Sequence, residues 1–348
     1  MSEITLGILG GGQLGSMLSI AATKLNIKTV VFCDDAEAPA QNFCNKFIFA
    51  NYDNKEKITE FINELDFVTY EFENIPYETL NEINKLKPVL PKPSVNRLIQ
   101  HRLAEKDFIN KLNIRTTRYV SVEKKSEVEA LEDFLPGILK TTTLGYDGKG
   151  QYLINSIEEI NSLNIDFSKG YILEKLVKLK KEISIIITRF NNLKYEIYEP
   201  IENTHEDQIL KYSKIPADIN DKIFNQSKEW ATLIAEELKY IGTLCVEFFI
   251  DRNDNLYVNE IAPRVHNSGH LTINAYNVSQ FENHVRAVCG LEQISLKKLS
   301  NAKMINLIGD QISPYRKMKK LNDNEFFFDY LKKEIKKKRK MGHITTLI

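Results

Sequence analysis

The sequence predicts an α/β protein of more than one domain, and three observations carry this prediction. Residues 4–25 combine a short apolar run, a Gly-rich turn and a helical pattern, which is typical of a buried parallel strand entering a helix. Pro88, Pro91 and Pro93 interrupt the pattern and indicate a domain boundary. Residues 244–262 predict a long antiparallel hairpin. The 348 residues are enough for two or three domains with separate cores.

Composition argues against several classes of partner. The 47 basic and 47 acidic residues balance to a formal net charge of +0, which does not favour a nucleic-acid or membrane partner. No apolar run approaches the roughly 18–20 residues of a membrane span. Glu3 stands where a signal peptide would be basic, and the four cysteines contain no Cys-x-x-Cys pair. We therefore expect a cytoplasmic protein with reduced, buried thiols.

The Gly-rich turn at residues 10–15 has the spacing Gly-x-Gly-x-x-Gly. It follows an apolar strand and precedes a helix, and a second strand at residues 28–33 ends at Asp34 and Asp35. This order is the dinucleotide-binding fingerprint, in which backbone N–H groups at a helix N-terminus face an anion. Three interpretations stay open: the turn binds a dinucleotide, binds another anion, or only reverses the chain tightly.

Two glutamates are predicted to face each other across the hairpin. With the turn centred between Asn253 and Asp254, symmetric pairing sets Glu247 opposite Glu260, with Cβ atoms about 4.5–5.5 Å apart. Asn259 would face away in a regular strand, so a role beside Glu260 requires a bulge. The same register also pairs Asp251 with Leu256 and Phe249 with Val258.

Two carboxylates at that distance repel each other unless a proton or a cation intervenes. Carboxylate oxygens without a cysteine or histidine nearby favour a hard ion, so we predict Mg²⁺, or alternatively Mn²⁺, at Glu247 and Glu260. The alternative is a pair of solvated glutamates on an exposed hairpin. The polar run at residues 262–270, which leaves the second strand, favours ligand binding because it is unsuited to packing.

Other segments complete the predicted pattern. Ser94 is expected to cap one helix over residues 95–112, and residues 199–205 are expected to form a loop. Glu73 follows a strand at residues 66–70, at the sheet edge where open α/β folds bind ligands. A basic tail leads to a predicted turn at Gly342 and His343, which suggests a folded hairpin able to hold a phosphate.

The order of these segments resembles the ATP-grasp ligases. Lys140, a Gly-rich loop, Glu174, Val177, Glu182, Glu247, Asn259 and Glu260 follow one another in the order and approximate spacing of that superfamily. More closely, the chain resembles the N5-carboxyaminoimidazole ribonucleotide synthase family of purine biosynthesis. The motifs that carry this resemblance are residues 12–15, 70–74, 145–151, 262–270, 304–309 and 339–345.

The resemblance implies a fold, a reaction and an assembly. The fold would be ATP-grasp, with an N-terminal Rossmann-like (pre-ATP-grasp) domain and a small C-terminal β-rich subdomain. The reaction would be the ATP-dependent carboxylation of 5-aminoimidazole ribonucleotide by bicarbonate through carboxyphosphate, in a homodimer that uses Mg²⁺. The expected domains are an N-terminal domain at 1–93, a small lid region at 94–178, a large region at 179–300 and a C-terminal subdomain at 301–348.

The resemblance also assigns site residues by matched position. The expected ATP-binding residues are Arg102, Lys140, Gly145, Tyr146, Asp147, Gly148, Lys149, Gly150, Gln151, Glu174, Lys175, Leu176, Val177, Glu182, His205, Asn259 and Glu260. The expected metal ligands are Glu247 and Glu260. The expected ribonucleotide-binding residues are Gln13, Glu73, Arg264, His266, Ser268, Lys332 and Arg339, and the expected catalytic residues are Asp147, Lys149, Arg264 and His266.

Three rival functions are weighed against this one. An NAD-dependent dehydrogenase would use the turn at residues 10–15, but it leaves the Glu247 and Glu260 pair unexplained. A non-catalytic nucleotide-sensing module would not need the complete acidic set. Another ATP-grasp carboxylate–amine ligase, acting on a related ribonucleotide, is the alternative nearest to the expected reaction.

Overall fold

A parallel four-stranded sheet forms the first part of the chain in the computed structural model, which describes residues 3–143 and 150–348. Its strand order is β3-β2-β1-β4, and each neighbouring pair is parallel, as the apolar runs predict. The elements are β1 (Thr5–Leu9), α1 (Gln13–Lys24), β2 (Lys28–Cys33), β3 (Lys46–Phe49), α2 (Lys55–Ile62), β4 (Phe67–Tyr70) and α3 (Tyr77–Asn84).

The predicted single helix over residues 95–112 is wrong, because two helices occupy this stretch: α4 (Pro93–Ile99) and α5 (Arg102–Lys111). Ser94 is not the cap, since α4 begins at Pro93, whose fixed φ suits the first helical position. The helical conformation is interrupted before His101, whose side chain accepts a hydrogen bond from Ala104 N and caps α5. The break matters because it starts α5 at Arg102, a predicted site residue.

A small antiparallel sheet follows, with the strand order β5-β8-β6-β7. It encloses its own core, which includes Val122, Leu139, Ile154 and Leu173. The elements are β5 (Tyr119–Val122), β6 (Gly137–Thr141), β7 (Gln151–Ile154), α6 (Ile157–Ser162) and β8 (Tyr171–Lys175).

A large antiparallel sheet of nine strands forms the remainder of the fold, in the order β14-β13-β9-β11-β12-β15-β17-β16, with β10 paired to β9. Its elements are β9 (Leu179–Arg189), β10 (Tyr195–Ile197), β11 (Ile201–Glu206), β12 (Ile209–Ile215), α7 (Asp221–Glu237), β13 (Gly242–Asp251), β14 (Leu256–Ala262), α8 (Thr272–Ala275), α9 (Gln280–Val288), β15 (Ala302–Ile308), α10 (Ser313–Lys317), β16 (Glu325–Asp329) and β17 (Lys340–Leu347). Short 3₁₀ helices lie at Pro39–Asn42, Lys125–Phe134, Phe167–Lys169, Asn267–Leu271 and Gly309–Ile312.

The hairpin of β13 and β14 keeps the predicted pairing of Glu247 with Glu260 but reaches it by another route. Phe249 pairs with Tyr257, and Ile250 pairs with Leu256, so the two outer pairs predicted from the centred turn are wrong by one residue. The register then shifts between Glu247 and Phe248, which leaves Asn259 as an extra residue on β14. This is the bulge that a role for Asn259 beside Glu260 requires, and it restores the glutamate pairing.

Two other local predictions are wrong. His205 does not lie in a loop, because β11 begins at Ile201 and pairs with both β9 and β12. Gly342 and His343 do not form a turn but lie inside β17. A Cβ atom at Gly342 would come within 2.6 Å of the Phe328 carbonyl oxygen, so this glycine permits close strand packing and does not reverse the chain.

The first sheet is joined to the large sheet by a shared core. Leu14 and Met17 of α1 pack in the same apolar cluster as Val265, Val285 of α9 and Tyr330. Val265 therefore holds the segment after β14 against the Gly-rich turn. The four cysteines are unpaired, as predicted, but only Cys33, Cys245 and Cys289 are buried, and Cys44 is half-buried. Among the residues described, none of the helices has both the length and the apolarity that a membrane-spanning segment needs.

Candidate functional site

The Gly-rich turn at the start of α1 is filled by a side chain of the protein itself. Glu71, directly after β4, accepts a hydrogen bond of 2.7 Å from Gly12 N through Oε1. A Cβ atom at Gly12 would lie 2.8 Å from the same oxygen. The carboxylate of Glu71 thus occupies the position that the fingerprint offers to an external anion. This contact argues against a dinucleotide at the turn, and its only signal in the sequence is an acid at a strand end.

We expect Glu71→Gln to remove a pH-dependent loss of stability. Burial raises the pKa of Glu71, although the Gly12 N–H group opposes the shift. A raised pKa in the folded state contributes stability that is present below the unfolded-state pKa of about 4.3 and is lost as the pH rises through the folded pKa. The wild type should therefore lose stability relative to Glu71→Gln as the pH rises from about 4 through the folded-state pKa, measured by thermal unfolding.

The glutamine variant keeps an oxygen that can accept from Gly12 N, so it removes the charge and preserves the contact. Glu78→Gln, which changes an exposed acid on α3, serves as the control. A stability difference between wild type and Glu71→Gln that stays constant over this pH range would contradict the burial argument.

Gln13 and Lys332 meet across 319 residues of sequence, with Lys332 Nζ donating to Gln13 Oε1 at 2.8 Å. Lys332 also donates to the carbonyl of Lys340 at 2.8 Å. The fold thus brings two predicted ribonucleotide-binding residues from opposite ends of the chain together. Arg339 lies in the loop before β17, where its Nη1 donates to the Glu334 carbonyl at 3.2 Å.

Glu73 and Arg264 form a bidentate ion pair. Arg264 Nη2 donates to Glu73 Oε1 at 2.9 Å, and Arg264 Nε donates to Glu73 Oε2. Burial would raise the pKa of Glu73, but the guanidinium of Arg264 holds that pKa below its usual range. The fork geometry of arginine orients both planar groups. Two residues 191 positions apart in sequence thus share one site.

Glu247 pairs with His266, whose Nε2 lies 3.0 Å from Glu247 Oε1. Burial would raise the pKa of Glu247, but His266 holds it at about 2, so the carboxylate is ionised at neutral pH. On its other side, His266 Nδ1 lies 2.9 Å from Ser268 Oγ. The side chain of Gln280 forms two hydrogen bonds with the His266 backbone: it accepts from the N–H at 2.9 Å and donates to the carbonyl at 2.6 Å. Sequence reasoning missed Gln280.

The expectation that no cysteine or histidine lies near the glutamates is wrong. Ligand atoms of Cys245, Glu247 and His266 all lie within 4.8 Å of one another. Cys245 shares the strand face of Glu247 because it precedes it by two residues on β13. His266 arrives from the segment after β14, which folds back over the hairpin. The donor set at Glu247 is therefore mixed, and the hard oxygen donors lie on the β14 side.

Glu260 faces Arg102 at the start of α5, with 3.5 Å between Glu260 Oε2 and Arg102 Nη1. Beside it, the bulge buries Asn259 Oδ1, and no group in the described part of the chain bonds to that oxygen. Glu105, one turn along α5, accepts from Ile261 N at 2.6 Å and holds β14 in place. Burial and the nearby charge of Glu260 raise the pKa of Glu105 to about 8. Glu105 was not predicted, because its backbone partner is 156 residues away.

Lys140 and Lys106 hold one buried carboxylate between them. Lys140 Nζ lies 3.0 Å from Glu174 Oε1, and Lys106 Nζ lies 3.2 Å from Glu174 Oε2. Thr117 also donates to Glu174 Oε2, at 2.8 Å. Burial would raise the pKa of Glu174, but the two lysines hold it at about 2. The cluster carries two cations for one anion, and Lys106 is the member that sequence reasoning did not assign.

Glu182 and His205 meet across β9 and β11, with His205 Nδ1 2.7 Å from Glu182 Oε2. Although burial disfavours the charged ring, the carboxylate of Glu182 raises the pKa of His205. A register shift between Thr204 and His205 accompanies this contact. Because β11 was expected to be a loop, the sequence offered no reason for this pairing apart from the resemblance.

The chain leaves the small sheet after Lys175, the last residue of β8. Lys175 Nζ donates to the Asp133 carbonyl at 2.7 Å, and Leu176 N donates to the Pro136 carbonyl at 3.0 Å. Val177 is half-buried, and Leu176 is exposed. Gln151 begins β7 and pairs with Lys140, while Gly150 adopts a φ of +71°, a conformation that favours glycine. The predicted residues Gly145, Tyr146, Asp147, Gly148 and Lys149 lie outside the described residues.

Comparisons with known proteins give a consistent result over the whole chain. The model of the ATP-grasp domain matches residues 107–281, that of the ribonucleotide synthetase preATP-grasp domain matches residues 3–100, and that of the phosphoribosylaminoimidazole carboxylase C-terminal domain matches residues 302–348. The N5-carboxyaminoimidazole ribonucleotide synthase of Brucella melitensis is 37% identical over 348 residues, covering 99% of this chain and 96% of its own.

Solved structures agree. The ADP complex of an N5-carboxyaminoimidazole ribonucleotide synthetase superposes with a TM-score of 0.94 at 35% identity, covering 100% of this chain and 94% of that chain. The N5-carboxyaminoimidazole synthase of Aspergillus clavatus, in complex with ADP and 5-aminoimidazole ribonucleotide, superposes with a TM-score of 0.90 at 28% identity, covering 99% of this chain and 94% of that chain.

Proposed function

The chain belongs to the family of N5-carboxyaminoimidazole ribonucleotide synthases, and we propose that it carboxylates 5-aminoimidazole ribonucleotide with bicarbonate while converting ATP to ADP and phosphate, in de novo purine biosynthesis. One observation carries the chemistry: the bulged hairpin pairs Glu247 with Glu260, while Arg264 and His266 follow directly on the same segment. Acidic groups for a metal–nucleotide complex thus adjoin cationic and imidazole groups for a second substrate.

Positive charge for the nucleotide phosphates comes from Lys140 and Arg102. Lys140 belongs to the buried cluster with Lys106 and Glu174, whose excess of one positive charge suits a polyphosphate. Glu182 and His205 serve the nucleotide from β9 and β11, and residues 174–177 serve it from the end of β8. The loop at residues 145–151 completes this ATP site in our proposal, and solved relatives hold ADP or ATP.

The oxygen donors of the hairpin fit a hard divalent cation, although Cys245 and His266 also adjoin Glu247. Glu247 is ionised, Glu260 is its strand partner, and the oxygen of Asn259 is buried without a bonding partner among the described residues. Carboxylate and amide oxygens are the ligands that Mg²⁺ and Mn²⁺ prefer. When bound, such an ion supplies neutralising charge to the phosphate oxygens. Glu247 and Glu260 are the ligands we propose.

In our proposal, the ribonucleotide site adjoins the proposed metal ligands, because His266 contacts Glu247. Arg264, oriented by Glu73, offers its guanidinium, and His266 and Ser268 line the same segment. Gln13 and Lys332 form a second polar pair beside the Gly-rich turn, and Arg339 enters from the C-terminal loop. Asp147 and Lys149 are proposed as catalytic together with Arg264 and His266.

The reaction proceeds in two bond-forming steps. A bicarbonate oxygen attacks the γ-phosphorus of ATP, the bond to the β-γ bridging oxygen breaks, and ADP leaves as carboxyphosphate forms. Carboxyphosphate then breaks down to CO₂ and phosphate, and the exocyclic amine of the ribonucleotide attacks the CO₂ carbon and loses a proton. Lys140 and Arg264 compensate the charge that develops, and Asp147 is the proposed proton acceptor. Exclusion of water protects the reactive intermediate.

The assembly and its divisions are part of the same proposal. We place domain boundaries after residues 93, 178 and 300, which fall at the start of α4, between β8 and β9, and between α9 and β15. The family resemblance supports a homodimer and a cytoplasmic location. Analytical ultracentrifugation of the purified chain tests the dimer directly.

Release of inorganic phosphate from ATP tests the function. We expect phosphate release in the presence of bicarbonate to depend on 5-aminoimidazole ribonucleotide, and a carboxylated product to form in equal amount. Replacing bicarbonate by buffer under CO₂-free conditions is the control. Phosphate release that responds to another amine but not to this ribonucleotide would favour a different carboxylate–amine ligase, and no turnover at all would favour a nucleotide-sensing module.

Arg339→Ala should raise the KM for the ribonucleotide by about 10–100-fold, because a hydrogen bond to a charged group contributes roughly 1.5–3 kcal/mol. The KM for ATP should stay within about threefold, since ATP occupies the other side of the bicarbonate site. Steady-state kinetics with each substrate varied would measure both values.

Lys336→Ala and Lys337→Ala are matched controls, because both lysines are exposed in the same loop as Arg339. Equal, small effects from all three variants would mean that this loop is only a charged surface and that the ribonucleotide phosphate is held elsewhere.

A further inference from the structure

A buried chain of hydrogen bonds runs from the candidate site into the large sheet. It begins at Glu247, passes through both nitrogens of His266 to Ser268, and continues through three residues that no site assignment includes. The distances are 3.0 Å for Glu247 Oε1 to His266 Nε2, 2.9 Å for His266 Nδ1 to Ser268 Oγ, 2.8 Å for Ser268 Oγ to Ser184 Oγ, 3.0 Å for Ser184 Oγ to Asn203 Nδ2, and 2.9 Å for Asn203 Oδ1 to Ser213 Oγ.

The inner members of this chain are shielded from solvent. Ser184, Ser213 and Ser268 are each 0% exposed, and Asn203 is 6% exposed. Ser184 lies on β9 two residues after Glu182, so it faces the same side of the sheet as that proposed nucleotide-binding residue. Asn203 lies on the neighbouring strand β11. A buried polar chain of this kind restricts its members to few arrangements, because an unpaired group inside costs free energy.

The amide of Asn203 gives the chain a direction. Its Nδ2 can only donate, and it donates to Ser184 Oγ, while its Oδ1 can only accept, and it accepts from Ser213 Oγ. Ser184 Oγ, having accepted from Asn203, has its own hydrogen free to donate to Ser268 Oγ. If Ser268 Oγ accepts from Ser184, its own hydrogen is left to donate to His266 Nδ1, 2.9 Å away. In this arrangement the hydroxyls of Ser184 and Ser268 accept from the core side and donate toward the site.

A second contact at His266 agrees independently of the amide. The backbone N–H of Ser268 also points at His266 Nδ1, at 3.3 Å, and a backbone N–H can only donate. His266 Nδ1 is therefore an acceptor for two donors. A neutral imidazole that accepts at Nδ1 carries its hydrogen on Nε2, which is the atom 3.0 Å from Glu247 Oε1.

We propose that Ser184 and Asn203 are positioning residues that hold His266 in its Nε2–H tautomer, with that N–H group directed at Glu247. This inference rests on the proposed function, in which His266 faces the reacting centre. Neither Ser184 nor Asn203 touches a substrate. They act through Ser268 by orienting the ring, in the manner of outer groups that orient a catalytic or metal-binding imidazole.

Ser184→Ala tests this role. It removes the hydroxyl that donates to Ser268, so the hydrogen of Ser268 and the ring of His266 lose their fixed direction. We expect kcat for carboxylation to fall by about 10–100-fold, the usual cost of losing an orienting outer group, while the KM for ATP stays within about threefold. A merely structural role would instead lower stability and leave the kcat of the folded enzyme unchanged.

Thr188→Val is the matched control. Thr188 lies four residues further along β9, is also 0% exposed, and shares its hydroxyl with Thr243 at 2.7 Å, in a pair that does not contact His266. Like Ser184→Ala, the Thr188→Val substitution removes one buried hydroxyl from β9. If Thr188→Val lowers kcat as much as Ser184→Ala does, the positioning role is overturned.

The tautomer is read separately by ¹⁵N NMR of labelled histidine in the full chain, with His266 assigned by comparison with His266→Gln. We expect the wild type to show the hydrogen on Nε2, and Ser184→Ala to show a mixture. Asn203→Asp should shift the ring further toward the Nδ1–H form, because a carboxylate only accepts and turns the hydroxyl of Ser184 away from Ser268. A wild-type His266 in the Nδ1–H form would overturn the proposal.

The two readouts separate the inference from the function on which it rests. A wild type that makes no carboxylated product contradicts the proposed function, and the NMR result then decides the tautomer on its own. A wild type that is active, with a Ser184→Ala variant that keeps full kcat and the same tautomer, contradicts only the positioning role.

Discussion

Glu260→Gln should lower ribonucleotide-dependent phosphate release by about 10²–10³-fold, the usual cost of removing one group that stabilises transition-state charge, while the protein still folds. The substitution keeps the shape of the side chain and removes one of the two carboxylates proposed to hold the metal ion. It also removes a negative charge that raises the pKa of Glu105. The unliganded variant should therefore unfold at the same temperature as the wild type or at a higher one.

Asp254→Asn is the matched control for this substitution. Asp254 lies in the turn of the same hairpin, is exposed, and has a φ of +59°, which asparagine tolerates well. Its activity should equal that of the wild type. Binding of Mn²⁺, followed by electron paramagnetic resonance, should weaken in Glu260→Gln and not in Asp254→Asn. Near-normal turnover of Glu260→Gln at ordinary Mg²⁺ concentrations would rule out the proposed metal site.

Arg264→Met should produce the largest loss of stability among the variants considered. It breaks the bidentate pair with Glu73 and leaves a largely buried carboxylate without its partner. Removing one member of a buried ion pair costs about 3–5 kcal/mol, which corresponds to a decrease of roughly 6–20 °C in the midpoint of thermal unfolding. Carboxylation should also be lost, because the variant lacks the Arg264 guanidinium that would bind an anion.

The double variant Glu73→Gln/Arg264→Met distinguishes the two effects. It removes the orphaned charge, so it should regain part of the lost stability while staying inactive. Arg316→Met is the control for a comparable pair with a more exposed arginine, because Arg316 and Asp329 are also joined by two hydrogen bonds but the Arg316 side chain is 32% exposed against 17% for Arg264. A decrease in the unfolding midpoint as small for Arg264→Met as for Arg316→Met would show that burial of the Glu73 pair contributes little.

Local patterns predicted much of the fold. The strand bounds at residues 28–33 and the parallel pairing of the first sheet agree with the sequence predictions because both depend on apolar patterns within single segments. Errors occurred where a local signal had two outcomes. Ser94 is a residue type that favours a helix cap, but the helix begins at Pro93. Gly342 is a residue type that favours a turn, but it lies inside β17, where close strand packing requires a glycine.

The candidate site divides in the same way. The pairing of Glu247 with Glu260 follows from strand alternation and hairpin symmetry, although the structure reaches it through the bulge at Asn259. Other contacts depend on strands and helices that meet only after folding. Examples are the ion pairs of two lysines with Glu174 and the hydrogen bonds of Gln280 to the His266 backbone. No spacing in the sequence encodes such contacts, because they join residues from different elements.

By itself, the sequence determined the family, the α/β class and the acidic hairpin, because these depend on contiguous motifs and on periodicities set by backbone geometry. Only the tertiary structure decided that Glu71 fills the Gly-rich turn, that Cys245 and His266 join Glu247, and that Ser184 and Asn203 are hydrogen-bonded in a chain to Ser268. The physical reason is common to all three. A buried polar group must find a partner, and the identity of that partner depends on register and packing between segments far apart in the chain.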